Sequence, residues 1–231
     1  MSHDALAALL GPRVRFAVRR PGDVPVSVLR PEEAAAVSRA VEGRRLEMAA
    51  GRDAAREALG ALGVRPGPIP KGERGAPVWP AGVVGSITHT RSFCLAAVAK
   101  AEAVEGLGVD AEPDEPLEPE LWPAITTPAE RAALAASEPR AAGARARRLF
   151  CAKEAAYKAQ YPLTGVLLEF DDLAIRFSEP SSSARRCSFE ARYRRDTGPF
   201  PAGRTLRGRI LADGGQLVAA VLGPFSANGM P

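Results

Sequence analysis

Cysteine and histidine are scarce in this sequence. Its three cysteines, Cys94, Cys151 and Cys187, lie far apart in a chain of 231 residues, and its two histidines are His3 and His89. An odd number of cysteines without a CxxC pair fits neither a set of disulfides nor a zinc site. So few histidines also exclude a histidine-rich metal centre. The sequence therefore predicts buried thiols in a reducing compartment.

Lysine, aromatic residues and long apolar runs are also in short supply. No apolar run is long enough to cross a bilayer, and His3 and Asp4 stand where a secretion signal has its basic segment. We therefore expect a cytoplasmic protein that does not bind membranes. Arginine carries most of the positive charge, and the net charge of +4 favours an anionic partner. The lysines are Lys71, Lys100, Lys153 and Lys158.

The order of the predicted elements indicates an α+β fold. With 46% hydrophobic and 25% charged residues, the composition is that of a globular protein rather than a disordered one. The segment Thr127-Pro128-Ala129-Glu130 is typical of a capped helix start. Further helices are predicted from Pro31, over 44–62 and over 141–160. Strands are predicted over residues 14–18, 83–88, 93–99, 107–112, 173–177, 187–193, 206–211 and 217–222.

A proline- and acid-rich segment over residues 113–123 interrupts this order. Such a composition is typical of a linker or crossover. Similar runs of helices and strands lie on either side of it, so the sequence predicts two α+β halves, residues 1–113 and 114–231.

Two carboxylates share one face of the strand predicted over 107–112. Because side chains alternate along a strand, Asp110 and Glu112 point to one side, about 7 Å apart. They repel each other unless they are solvated or bridged by a cation, and Mg²⁺ binds one or two carboxylates together with phosphate and water. The pair predicts a magnesium site. The alternative is an exposed strand end at which both carboxylates are solvated, and the same sequence pattern fits it.

The helix predicted over 141–160 carries a second charged group. Glu154 shares a helix face with Phe150 and Tyr157, and a carboxylate on an apolar face needs a partner or a metal. Lys158 lies one turn beyond Glu154, so the alternative is a surface ion pair between them.

Two further groups of residues suggest contacts to phosphate. Small and hydroxyl residues, with His89, stand where a strand runs into a turn, at Gly85-Ser86-Ile87-Thr88-His89. A histidine that only caps the turn is the alternative. Arg44, Arg52 and Arg56 share a stripe of one helix and could bind phosphate, or form a solvated basic face.

A series of short motifs in a fixed order resembles the Sfp-type phosphopantetheinyl transferases. The subgroup it resembles contains the enterobactin-synthase D component and the mycobacterial enzyme, and the likeness runs from about residue 40 to 165. The motifs are Arg44-Arg45-x-Glu47, Gly51-Arg52, Lys71-Gly72-x-x-Gly75-x-Pro77-x-Trp79-Pro80, Gly85-Ser86-x-Thr88-His89, Gly108-Val109-Asp110-x-Glu112 and Lys153-Glu154-Ala155-x-Tyr157-Lys158-Ala159.

The resemblance implies a fold and an activity. The fold would be a pseudo-dimer of two similar α+β halves with the active site in the cleft between them. The chain would be a monomeric enzyme of the holo-[acyl-carrier-protein] synthase type. It would move the 4′-phosphopantetheine arm of coenzyme A to a serine of an acidic acyl or peptidyl carrier protein and release 3′,5′-ADP. Such carriers serve fatty-acid, polyketide and nonribosomal-peptide synthesis, including that of siderophores.

The resemblance also implies roles for individual residues. Mg²⁺ would be held by Asp110, Glu112 and Glu154, and Glu154 and Lys158 would be catalytic, with Glu154 as a candidate general base. Coenzyme A would be contacted by Arg44, Arg52, Lys71, Gly72, Ser86, Thr88, His89, Asp110, Lys153 and Lys158.

One departure and two alternatives remain. Some relatives have an aromatic residue where Gly165-Val166-Leu167 stand here, which leaves contacts to the pantetheine arm open. A basic nucleic-acid-binding protein would share the charge, but the chain has no known nucleic-acid-binding motif and we expect no nucleic-acid partner. Another Mg²⁺-dependent phosphotransferase would share the carboxylates, but no P-loop or kinase motif occurs.

Overall fold

Two antiparallel β-sheets form the framework of the protein. A computed structural model describes residues 1–178 and 185–225. One sheet has three strands in the order β1-β3-β2, and the other has five in the order β4-β8-β7-β6-β5. The strands are β1 (Arg15–Arg19), β2 (Val83–His89), β3 (Cys94–Lys100), β4 (Leu107–Pro113), β5 (Leu173–Phe177), β6 (Arg186–Tyr193), β7 (Thr205–Asp213) and β8 (Gln216–Leu222).

The helices pack on the faces of these sheets. The long helix α3 covers the three-stranded sheet, and α6 covers β4 and β8 of the other. Within the described residues no helix is both long and apolar enough to cross a membrane. The helices are α1 (His3–Leu10), α2 (Pro31–Ala35), α3 (Glu42–Ala61), α4 (Trp122–Ile125), α5 (Pro128–Ala135) and α6 (Pro139–Thr164).

The predicted elements agree with these bounds to within a few residues, with three exceptions. Helix α1 was not expected; its eight residues are too few to show a pattern, and burial of Leu6, Leu9 and Leu10 stabilises it. The segment expected as a linker contains a 3₁₀ turn and α4. Helix α6 extends past its expected end through Pro162 and stops at Gly165, whose φ of +65° ends the helix in the left-handed conformation.

Strand β4 belongs to the five-stranded sheet. It pairs antiparallel with β8, from Leu107 opposite Leu222 to Pro113 opposite Gln216. The sheets therefore separate between β3 and β4, whereas the division at 113/114 puts β4 in the N-terminal half. As a division into domains, 1–113 and 114–231 stays a prediction. The prediction of an α+β fold with two halves is confirmed by the two sheets and their helices.

A seam of side-chain hydrogen bonds joins the two sheets. The Val109 N–H donates to Ser86 Oγ over 3.0 Å, and the Ala111 N–H donates to Thr88 Oγ1 over 2.9 Å. The two hydroxyls thus satisfy N–H groups of β4 that a neighbouring strand would otherwise bond. Both hydroxyl residues are buried. The seam therefore holds β4 beside β2 without a backbone ladder between them.

Helix α6 lies unusually close to β4 because of small residues. A Cβ on Gly108 would overlap the Ala155 carbonyl oxygen and would lie 2.5 Å from the Ala159 nitrogen. Only glycine fits there, and alanines face it from the helix. This close approach brings the charged side chains of α6 to the carboxylates of β4.

Candidate active site

A cavity of about 260 Å³ lies between the two sheets. The three-stranded sheet and its helix α3 provide one wall, and β4 and α6 provide the other. Most of the residues that the sequence singled out for coenzyme A line it. Its polar lining consists of Arg44, Glu47, Arg52, Lys71, Thr88, His89, Asp110 and Lys158.

Asp110 is the buried carboxylate at the centre of this site, with 4% of its surface exposed. Its Oδ1 accepts hydrogen bonds from Lys158 Nζ at 2.5 Å and from Thr88 Oγ1 at 3.2 Å. Its Oδ2 is buried and has no hydrogen-bond partner among the described residues. A buried carboxylate oxygen without a partner is costly, and a hard cation is one group that satisfies it.

Glu112 lies on the same side of β4 as Asp110, as the alternation predicts. Arg147 of α6 donates to Glu112 Oε2 over 2.8 Å. Burial and the neighbouring Asp110 nevertheless raise the pKa of Glu112 to about 7. Glu112 is therefore a carboxylate whose charge is disfavoured by its surroundings despite its bond to Arg147.

Glu154 is half-buried on α6. No hydrogen bond or ion pair to the Glu154 carboxylate is found in the part of the chain that the structure describes, 1–178 and 185–225. Burial raises its pKa, and the charge of Asp110 adds to the shift against the opposing effect of Lys158. Since Lys158 bonds Asp110 instead, the alternative of a surface pair between Glu154 and Lys158 does not describe this site.

The carboxylates suit a magnesium ion without forming a complete cage. No group of three or more His, Cys, Asp or Glu side chains within the described residues is arranged to hold a metal by itself. Mg²⁺ commonly takes only one or two carboxylates and completes its shell with phosphate and water. The unpartnered Oδ2 of Asp110 meets that requirement, and Glu154 and Glu112 supply further negative charge beside it.

Lys158 is the cation nearest to Asp110. Burial by itself would lower the pKa of its ammonium group, but Asp110 and Glu154 outweigh that effect and raise the pKa. Lys158 therefore carries its positive charge at neutral pH, beside the cavity.

Arg44 and His89 lie side by side in the cavity wall. Arg44 donates to His89 Nε2 over 2.5 Å and to Glu47 Oε2 over 2.8 Å. Because an arginine can only donate, His89 Nε2 is the accepting nitrogen and Nδ1 carries the proton, 3.5 Å from Glu47 Oε2. Burial lowers the pKa of His89, so the ring is neutral at neutral pH.

Arg52 and Glu33 fix the loop that leads to Lys71. Arg52 is buried, and its Nε donates to the Ile69 carbonyl over 2.7 Å. Glu33 is fully buried, accepts from the Ile69 N–H at 2.8 Å and forms an ion pair with Arg56. Both polar groups of Ile69 are therefore held, and Arg56 serves this anchor rather than the cavity.

The loop that follows Ile69 carries Lys71 into the cavity. Lys71 and Pro77 form an isolated bridge, and the Gly72 N–H donates to the Ala76 carbonyl. A Cβ on Gly75, where φ is +85°, would lie 2.9 Å from Lys71 Cε. Because Gly75 has no side chain, the Lys71 side chain can pass beside it without a steric clash.

Three of the expected coenzyme A contacts are not part of the cavity lining: Gly72, Ser86 and Lys153. Ser86 is used in the seam between the sheets. Lys153 is 1% exposed, and its ammonium donates to Glu130 and to the carbonyls of Ile125 and Phe170. The structure therefore does not bring Lys153 together with Glu154, because successive helix residues point about 100° apart.

Sequence reasoning omitted two charged residues that the structure places at the site. Glu47 bonds Arg44 and faces His89, and its spacing of three residues from Arg44 on a helix was a usable signal. Arg147 bonds Glu112 from α6, where it shares a face with Glu154, seven residues along. Its partner is 35 residues away in the chain, which no local pattern indicates.

Comparisons with known proteins agree with this arrangement. Residues 32–99 match the model of the 4′-phosphopantetheinyl transferase N-terminal domain, and residues 106–203 match that of the 4′-phosphopantetheinyl transferase superfamily. The first match covers α3, β2 and nearly all of β3 but not β1, and the second begins just before β4.

Three relatives are similar over most of the chain. 4′-Phosphopantetheinyl transferase Svp of Streptomyces mobaraensis is 46% identical over 205 residues, which are 86% of this chain and 80% of the relative. The enzyme PptT of Mycobacterium tuberculosis is 43% identical over 204 residues, 87% of each chain. The enzyme Npt of Nocardia iowensis is 43% identical over 154 residues, 67% of this chain and 68% of the relative. These matches confirm the family predicted from the motifs: the chain belongs to the 4′-phosphopantetheinyl transferases.

Proposed function

We propose that the cavity between the two sheets binds coenzyme A and that Asp110, Glu154 and Lys158 carry out transfer there. The chain is an enzyme that moves the phosphopantetheine arm of coenzyme A to a carrier protein. The observation that supports the position of the site is the buried, unpartnered Oδ2 of Asp110, a residue that lines the cavity together with Arg44, Arg52, Lys71 and Lys158. Such a combination suits a pyrophosphate and a divalent cation together.

Arginine and lysine side chains bind the anionic groups of coenzyme A. Arg44 and Arg52 are at the nucleotide end, where their guanidinium groups suit phosphate. The loop from Lys71 to Gly75, whose two end residues line the cavity, borders the adenine, and His89 lies next to Arg44 in the same wall. Thr88, Ser86 and Lys153 are bonded within the protein and are not among these contacts.

Asp110 and Glu154 hold Mg²⁺, with Glu112 beside them. When bound, the ion neutralises charge on the pyrophosphate oxygens and polarises the phosphorus that is attacked. Asp110 contributes the oxygen that has no other partner. Arg147 keeps Glu112 in place, and its charge limits the repulsion between Glu112 and Asp110.

The remaining chemistry belongs to side chains of α6. The carrier serine oxygen attacks the β-phosphorus, a bond to the bridging oxygen breaks, and 3′,5′-ADP leaves. Glu154, directly or through water, accepts the serine proton, and its raised pKa makes it a better base than an exposed carboxylate. Lys158 offsets the negative charge that develops on the leaving group.

Acidic carrier proteins of fatty-acid, polyketide or nonribosomal-peptide synthesis are the proposed acceptors. The net charge of +4 favours their approach through electrostatic steering. We expect the chain to act as a monomer, since the cavity is lined by residues of a single chain. We also expect it to act in the cytoplasm.

The test is transfer to an apo carrier, followed by mass spectrometry. The protein is incubated with coenzyme A, Mg²⁺ and an apo carrier, and a gain of the phosphopantetheine mass is expected. Asp110→Asn should lower the rate by roughly 100-fold or more, because a metal contribution of several kcal/mol is lost. Asp114→Asn, at an exposed position just beyond β4, is the matched control and should transfer normally. Unchanged transfer by Asp110→Asn would contradict the proposed site.

A further inference from the structure

The two hydroxyls of the seam are alike in one respect and different in another. Ser86 Oγ and Thr88 Oγ1 each accept the N–H of a β4 residue, at 3.0 and 2.9 Å. Ser86 Oγ in turn donates a hydrogen bond to a backbone group, the Val109 carbonyl, over 3.4 Å. Thr88 instead donates to a side chain, Asp110 Oδ1, at 3.2 Å. One seam residue therefore only joins the sheets, and the other also holds a charged group of the site.

We propose that Thr88 is a positioning residue that orients the Asp110 carboxylate so that Oδ2, and not Oδ1, is presented for cation binding. The inference rests on the proposed function, because it concerns how the proposed cation ligand is held. Its role is distinct from contact with phosphate, which the motif alone had suggested for Thr88.

The hydrogen bonds of Thr88 leave it no donor for phosphate. A hydroxyl has one proton to donate and two lone pairs. The proton goes to Asp110 Oδ1, and one lone pair accepts the Ala111 N–H. A phosphate oxygen can only accept, so Thr88 can bond a phosphate only by releasing Asp110. At 3% exposure, Thr88 also has little freedom to turn.

The carboxylate is held at one oxygen from both sides of the cleft. Thr88 reaches Oδ1 from β2, and Lys158 reaches the same oxygen from α6. A partial rotation about the Cβ–Cγ bond would move Oδ1 away from both donors and break both bonds, so the plane of the carboxylate is fixed. The other oxygen, Oδ2, is left buried and without a partner among the described residues, in a residue that lines the cavity. Groups that orient a metal ligand in this way commonly affect metal affinity by about 10–100-fold.

The inference is tested by Mn²⁺ affinity, with electron paramagnetic resonance used to count free Mn²⁺ in the presence of coenzyme A. Mn²⁺ is chosen because it takes the same carboxylate and water ligands as Mg²⁺. Thr88→Val keeps the shape of the side chain and removes the hydroxyl, and we expect it to weaken Mn²⁺ binding by about 10-fold or more. Thr88→Ser retains the hydroxyl and should restore the affinity.

Ser86→Ala is the matched control for the seam. It removes the equivalent bond to β4, so its melting temperature should fall about as far as that of Thr88→Val. Its Mn²⁺ affinity should be unchanged, because Ser86 does not touch Asp110. If Thr88→Val does not fold, Thr88→Ala removes the same hydroxyl with less crowding and replaces it in the comparison.

Asp110→Asn separates this inference from the proposed function. If Asp110→Asn loses Mn²⁺ affinity and Thr88→Val keeps that of the unaltered protein, Thr88 does not position the ligand and the inference is wrong. Equal loss in Ser86→Ala and Thr88→Val would also contradict it, since the effect would then come from the seam as a whole. If Asp110→Asn binds Mn²⁺ as tightly as the unaltered protein, the proposed cation site itself fails.

Discussion

A single carboxylate shows how this site departs from ordinary protein packing. Buried polar atoms nearly always have a hydrogen-bond partner, because an unpaired one loses its hydration without compensation. Asp110 Oδ2 has none within the described residues, although Oδ1 of the same group has two. Since a better-satisfied side chain would stabilise the fold more, this oxygen is the one that the proposed function assigns to a cation.

The three cysteine side chains differ from Asp110, because their burial makes them unreactive. All are buried thiols, as the sequence predicted. Burial raises the pKa of Cys94 to about 12 and raises those of Cys151 and Cys187 as well. The reactive thiolate is therefore suppressed in the folded protein, where these pKa values exceed the ordinary thiol value.

Alkylation with iodoacetamide tests this prediction. Between pH 7 and 9 the folded protein should remain unlabelled over minutes, because the raised pKa values keep the thiols protonated and burial excludes the reagent. In denaturant, mass spectrometry should find three labels, added faster at pH 9 than at pH 7. Rapid labelling of the folded protein at pH 9 would show that at least one thiol is accessible.

At the scale of elements, α6 and β4 form one functional unit. Three hydrogen bonds connect the helix to the strand. Arg147 donates to Glu112, Cys151 donates to the Asp110 carbonyl, and Lys158 donates to the Asp110 side chain. These helix residues, spaced by four and seven, occupy one face. The contact depends on the close approach at Gly108.

Gly108→Ala should therefore damage both stability and transfer. The added Cβ overlaps backbone atoms of α6, which cannot move aside as a flexible side chain can. Overpacking usually costs about 1–3 kcal/mol, and we expect at least the upper value here, measured by urea unfolding. Transfer should fall too, since α6 carries Glu154 and Lys158 away from β4.

Gly60→Ala is the matched control for this change. Gly60 also lies in a helix, but nothing is within 4 Å of a Cβ built there. Alanine should raise the free energy of unfolding by about 0.5–1 kcal/mol because of its higher helix propensity. A Gly108→Ala protein as stable as the unaltered chain would show that α6 and β4 are not in the contact described.

The sequence predicted the elements of this site better than their contacts. Alternation along β4 is a local property, so the shared side of Asp110 and Glu112 followed from spacing alone. Spacing did not predict that Lys158 pairs with Asp110 rather than with Glu154, because that pairing depends on how closely α6 approaches β4. Lys153 stands next to Glu154 in the motif but points toward Glu130 and α5, a direction set by tertiary packing.

For the whole molecule, the cavity lies so that a ligand bound in it would contact residues on both sides of the cleft. Arg44, Arg52 and Lys71 come from one side, and Asp110 and Lys158 from the other. A ligand that binds the folded chain and not the unfolded one stabilises the fold.

Coenzyme A with Mg²⁺ should therefore raise the melting temperature. At a concentration 100 times the dissociation constant, the gain in stability is about 2.7 kcal/mol. Arg44→Gln should need more coenzyme A for the same shift, because its contact is at the surface of the cavity and its loss weakens binding without disturbing the core. An unchanged melting temperature at saturating coenzyme A and Mg²⁺ would contradict a site in this cavity.

The pairing of β4 with β8 has a consequence for the order in which the protein is made. Among the described residues, the backbone partner of the strand that carries Asp110 and Glu112 is β8, residues Gln216–Leu222, about a hundred positions later. At synthesis rates of about 5–20 residues per second, the ribosome needs on the order of ten seconds to supply that partner. Every side chain of the proposed site is already present by then. A nascent chain therefore contains every side chain of the proposed site before the strand that pairs with β4 has been made.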